Sequence, residues 1–158
     1  MSKSLKRVRA ALETAGLSTE IRQTEETTRT AQQAADAVGC HVDQIAKSII
    51  FRGETSGQAV LFITAGGNRV DSAKASELAG EPLGKADAAL IRAQTGFAIG
   101  GVSPLGHLNP IRAFLDSRLM EFESVWAAAG TPNHVFSISP PDLQRQTSAQ
   151  VNQFCQEP

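Results

Sequence analysis

The sequence predicts a mixed α+β fold. A single domain holds a mixed, mostly antiparallel β-sheet or distorted barrel surrounded by helices. Three observations lead there. Two helical segments precede any strong strand, paired strands then give way to further helices, and more strands and a final helix follow, which is neither a regular βαβ series nor an all-β pattern. The 158 residues are 41% hydrophobic, enough for one core and too few for two ordinary domains, so residues 1–158 read as one domain. Seven Phe, one Trp and no Tyr leave the packing to aliphatic side chains and Ala.

The elements follow in order. Leu5, Val8, Leu12 and Ala15 recur at helical spacing with Gly16 behind them, which predicts a helix over 4–15. The stretch 17–29 is polar. Thr30 and Gln33 form a capping box, and an Ala-rich helix then runs to Val38 before Gly39. Val42 to Ala46 reads as one helical turn that delivers Lys47-Ser-Ile-Ile-Phe-Arg52 into a strand, and Gly53 to Gly57 turns the chain into a partner strand over Gln58 to Ala65. Asp71 and Asp87 cap helices over 72–79 and 88–95, each with a Gly behind it. Ile111 to Leu115, a segment near Phe122 to Trp126, and His134 to Ile138 read as strands, and Ser139-Pro-Pro-Asp opens a last short helix. No repeat, low-complexity tract or long linker divides the chain.

Charge and motif content exclude several functions. A net charge of −1 argues against a broad basic surface that coats nucleic acid. Any RNA contact is local, with Lys3, Lys6, Arg7 and Arg9 as one candidate cluster; a solvated helix face explains the same residues. The N-terminus lacks an apolar run of signal length, and no stretch approaches the roughly 20 apolar residues of a spanning helix, so a cytoplasmic protein with no membrane partner is expected. Cys40 and Cys155 make no CxxC pair and read as reduced, structural residues. His41, His107 and His134 lack metal-ligand spacing, and neither a Walker sequence nor GxGxxG at a strand-to-helix turn occurs, so no metal and no cofactor are expected.

Four features carry candidate chemistry. Lys47 begins an apolar strand, where an ammonium needs a partner, either a substrate phosphate or carbonyl or, at a strand edge, water. The loop Gly100-Gly101-Val102-Ser103-Pro104 joins two residues without side chains to a Pro that fixes the direction beyond, so its backbone N–H groups can meet a ligand; a plain turn has the same composition. Ser103 is a possible nucleophile outside any GxSxG elbow. His134 alternates with Phe136 and Ile138, the pattern of a core histidine.

Thr30-Ala-Gln-Gln-Ala-Ala, Gln44-Ile-Ala-Lys47-Ser48-Ile-Ile-Phe51, Arg69-Val-Asp71, Gly100-Gly-Val-Ser-Pro-Leu-Gly106, Asp116, Gly130 and Asn133-His-Val-Phe136 occur in an order that resembles the YbaK family. That family includes the editing insertion domain of bacterial prolyl-tRNA synthetase and its free-standing relatives, and the likeness covers about residues 5 to 145. It implies hydrolysis of the ester between a wrong amino acid and the terminal adenosine of a tRNA, with no metal or cofactor. By that resemblance Lys47 anchors the terminal nucleotide and Gly101 lies beside the donors that orient the carbonyl or the attacking water. Thr30, Ser48, Gly100, Ser103, Pro104 and His134 are the matching substrate-binding positions. The implied partners are the acceptor end of an aminoacyl-tRNA and prolyl-tRNA synthetase. Ser48 stands where the family often has Thr or Asn, which leaves the edited amino acid open. Two rival readings are a non-catalytic module that captures aminoacyl-tRNA or a synthetase, and a serine esterase built on Ser103 and His134.

Overall fold

The computed structural model describes residues 2–25 and 28–157. Among the described residues five helices form where caps and apolar spacing coincide. In α1 (Lys3–Thr14) the Ser2 hydroxyl accepts from the Leu5 N–H at 3.0 Å, and Leu5, Val8 and Leu12 are buried one turn apart. In α2 (Ala31–Val38) the expected box is present: Gln33 N–H donates to Thr30 Oγ1 at 3.1 Å and Thr30 N–H to Gln33 Oε1 at 3.2 Å. Gly39 then stops the helix at φ 78°, a left-handed conformation that suits a residue without Cβ. Asp71 and Asp87 cap α3 (Ser72–Ala79) and α4 (Ala88–Thr95), and Ser139 caps α5 (Pro140–Thr147), whose first residues are prolines that lack only an N–H the helix leaves unpaired.

The strands are β1 (Ile21–Gln23), β2 (Ala46–Gly53), β3 (Ala59–Ala65), β4 (Leu83–Lys85), β5 (Arg112–Asp116), β6 (Val125–Ala128), β7 (His134–Ile138) and β8 (Gln150–Asn152). They form two sheets, ordered β4-β2-β3-β5-β8 and β1-β7-β6. The β2–β3 hairpin pairs Lys47 with Thr64 and Ser48 with Ile63, while β5 runs parallel to β3 and β8 parallel to β5. The remaining pairs are antiparallel, so the sheets are mixed and mostly antiparallel as expected. A parallel bridge between Ile45 and Trp126 ties the sheets together at one point.

Every residue of β3 is buried, as a central strand covered on both faces must be. Alternation divides its side chains between two clusters. Leu61 and Ile63 face the larger one, which holds Phe97, Leu119 and Phe136 and takes the apolar stripe of α1. Val60 and Phe62 face the other, where Phe62 lies 5.0 Å from both the Phe114 and the Phe154 rings. Full burial of one such side chain stabilises the fold by roughly 1.5–3 kcal/mol.

The structure departs from the sequence reading in local detail. Two sheets stand in place of one sheet or barrel. The strands β1, β4 and β8 have three residues each, too few to show alternation, and were not anticipated. Ser117–Glu121 forms a 3-10 turn, capped by the Asp116 side chain accepting from Arg118 N–H, and this moves β6 past Phe122 to start at Val125.

Candidate active site

A cavity of about 330 Å³ opens where β2 meets β6 and β7. Residues 28–31 and Ala34 of α2 form one wall, and Ile91, Ile99, Gly100 and Val102 form another. Trp126, Ala128 and Val135 close it from the three-stranded sheet. The lining is mostly aliphatic, and Ile99 is 63% exposed at its edge, unusual for so large an apolar side chain.

Polar groups enter chiefly from β2 and from residues 28–30. Alternation sends Ser48 toward the large cluster with Ala46 and Ile50, and Lys47 toward the other face with Ile49 and Phe51. The Ser48 hydroxyl is buried and has no hydrogen-bond partner among the described residues. Such a group forgoes about 1–3 kcal/mol that a bound polar atom would restore. Lys47 borders the cavity while its ammonium reaches the turn after β3 and donates to the carbonyls of Gly66 at 3.2 Å and Asn68 at 2.6 Å. Burial pushes its pKa below the ordinary lysine value; Arg69 adds to that shift, and Cys155, Asp116 and Asp43 oppose it. Lys47 thus has a partner, as the sequence demanded, and here the partner is backbone.

Asp116 holds this turn from beneath. Only 3% exposed, its Oδ2 accepts from Ala65 N–H at 3.0 Å, from the Asn68 amide nitrogen at 2.9 Å and from the Cys155 thiol at 3.3 Å. Burial, and then the Asp116 charge, raise the Cys155 thiol to about 12, so it stays protonated. Cys40 is raised by burial as well, and both cysteines are free.

The loop brings some of its expected residues to the cavity and turns others away. Gly101 N–H donates to Ala98 O at 3.1 Å, closing a turn in which Gly100 has φ 95°, a value that favours glycine. Gly100 and Val102 border the cavity and Gly101 does not. A Cβ on Gly101 would lie 2.9 Å from Thr131 Cα, so this glycine packs against the turn before β7. Ser103 is fully buried, its hydroxyl accepting from Leu105 N–H at 3.1 Å, and Pro104 lines a different groove. The imidazole near Ser103 belongs to His107, which donates from Nε2 to the Ser103 carbonyl. No Ser103–His134 pair exists, and the esterase reading loses its base.

His134 lies outside the cavity. Its Nδ1 pairs with Thr131 Oγ1 at 2.6 Å, and burial, then the charge of Arg9, lowers its pKa. Thr30 does border the cavity, although its hydroxyl already caps α2. Several lining residues escaped the sequence reading. Ile91, Ile99 and Trp126 come from distant elements, and only the exposure of Ile99, which no sequence displays, marks any of them.

No helix is long and apolar enough to cross a membrane, and no group of three or more His, Cys, Asp or Glu among the described residues could hold a metal ion. Residues 25–146 match the model of the aminoacyl-tRNA editing domain. The protein YwhH of Bacillus subtilis (strain 168) is 31% identical over 148 residues, 94% of each chain. A crystal structure bearing the provisional name of trans-editing enzyme for prolyl-tRNA synthetase is 46% identical, covers 99% of both chains and superposes with a TM-score of 0.92. A scaffold protein used for computational epitope grafting has the same TM-score at 44% identity, with 99% of this chain and 100% of that one covered. With the family model spanning most of its length and the same fold in these relatives, the chain belongs to the aminoacyl-tRNA editing domain family.

Proposed function

We infer that the protein is a trans-editing deacylase. It hydrolyses the ester of a mischarged tRNA, a tRNAPro carrying a small non-cognate amino acid such as alanine or cysteine, and acts in the cytoplasm free or docked on prolyl-tRNA synthetase. The observation that carries this reading is the apolar cavity beside Lys47, whose volume of about 330 Å³ has room for an aminoacyl group and whose buried Ser48 hydroxyl awaits a polar atom.

An aminoacyl ester is already activated, so positioning and stabilisation of the developing oxyanion suffice. Water adds to the ester carbonyl, the bond to the ribose oxygen breaks, that oxygen takes a proton and the amino acid leaves as its carboxylate. Among the described residues the cavity presents neither carboxylate nor imidazole, and the proton transfers in this reading go through the water and the free ribose hydroxyl of the substrate. Gly100 and Val102 take the orienting role first expected at Gly101, whose N–H is already engaged. Lys47 exchanges its carbonyl partners for the terminal nucleotide. Gly101, Ser103 and Pro104 hold the loop's shape, Thr131 packs against Gly101 from behind, and His134 pairs with Thr131.

The test is release of labelled amino acid from tRNAPro charged with alanine, cysteine, serine or proline, by wild type and Lys47→Ala. Release of a non-cognate amino acid, with prolyl-tRNA spared and the rate lowered in Lys47→Ala by about 10- to 150-fold, as loss of a hydrogen bond from a charged group implies, is expected. The lack of a carboxylate or imidazole among the described lining residues also suits a module that captures aminoacyl-tRNA without cleaving it. Binding without release from any charged tRNA would favour that second reading.

A further inference from the structure

Trp126 is the sole tryptophan of the chain, half-buried on β6 and lining the cavity. It packs against the cluster of Ala34, Ala35 and Ile45. The guanidinium of Arg22 lies over the ring, with Cζ 4.7 Å from the centroid. The registers explain the pairing: Arg22 opposes Val135 and Val135 opposes Ala128, so Arg22, Val135, Ala128 and Trp126 project from one face of the three-stranded sheet. Arg22 is exposed, has no ion pair among the described residues, and hangs from a three-residue strand at the sheet's edge. Thr28, Arg29 and Thr30 border the same opening as Trp126, with Arg29 exposed.

We propose that Trp126 and Arg22 form a stacking site for a nucleobase at the mouth of the cavity, holding the terminal base of an RNA end between indole and guanidinium. This rests on the deacylase reading only for the identity of the RNA. An aliphatic amino-acid side chain needs no such surface, since Ile50, Ile91 and Val102 already supply one. An aromatic plane topped by a movable guanidinium is the arrangement that accepts a delocalised ring, because both faces attract the π system. When Arg22 lifts by one ring thickness, a base slides onto Trp126 and its sugar and phosphate reach Thr28 and Arg29. The acyl group then points inward past Ser48. Base and amino acid are thereby read by different walls of one opening.

A lone tryptophan makes the test direct. Its emission is followed while wild-type protein is titrated with adenosine monophosphate, with ribose 5-phosphate, and with an RNA trinucleotide ending in adenosine. Saturable change with both adenosine ligands and none with ribose 5-phosphate is expected. Arg22→Ala, at an exposed position that leaves the fold intact, should weaken both by about 2- to 30-fold. Trp126→Leu should raise KM for a charged tRNA by about 5- to 150-fold with a smaller effect on kcat. An equal response to ribose 5-phosphate, or unchanged emission with all three ligands, overturns the stacking site, even in a protein that deacylates normally. A response to the mononucleotide alone overturns its link to an RNA end. Stacking by both adenosine ligands without deacylation of any charged tRNA upholds the site and removes the deacylase reading instead.

Discussion

Cys155 shows how much one buried proton governs. Its thiol sits against Asp116 and titrates at about 12 instead of 9.0. Through that window the native state binds more protons than the unfolded chain. The contribution is therefore complete below pH 9.0 and is lost as pH rises through the folded value. Urea midpoints should fall more steeply above pH 9.0 for wild type than for Cys155→Ala. The same retained proton makes a thiol sluggish toward electrophiles, so alkylation at neutral pH should be slow at Cys155. Gly101 shapes a second residue-scale expectation. With a Cβ held 2.9 Å from the Thr131 backbone, Gly101→Val should destabilise by about 1–3 kcal/mol, read as a lower urea midpoint, and displace the turn that carries His134.

Among elements, the helices were the most legible in sequence because their signals are local. Thr30 and Gln33 lie three residues apart, and so do the groups they satisfy; Thr30→Ala should lower stability by about 1 kcal/mol in a denaturant titration. The long hairpin strands were legible for a similar reason, through a run of apolar residues divided by Gly53 to Gly57. The short strands were not. β1, β4 and β8 exist because β7, β2 and β5 offer them unpaired backbone, and three residues cannot encode that in their own pattern. The loop over 100–104 is an intermediate case. Its composition marked it as unusual, yet which amide is free depends on Ala98 O and Thr131, partners at different sequence distances.

At the scale of the molecule, the stability of the second cluster is concentrated in Phe62, which meets Phe51, Phe114 and Phe154 at once. Phe62→Ala should destabilise by about 3–5 kcal/mol, measured as a shift in urea midpoint at constant slope. The chain's membership in a family was readable from an ordered set of motifs, and so was Lys47 as a residue in need of a partner. The cavity itself was not readable, since its walls come from β2, α4, the 99–102 segment and the edges of the other sheet. Trp126 reaches it only because two sheets, rather than one, meet at Ile45.

The turn that receives the Lys47 ammonium is fastened from the far end of the sequence. Asp71 N–H donates to Phe154 O, Gln156 N–H to Arg69 O, and the Cys155 thiol meets the carboxylate that grips Asn68. Residues 154–156 border no part of the cavity, yet they clasp the turn whose carbonyls hold the Lys47 ammonium, so the grip on one wall of the opening is set from outside it.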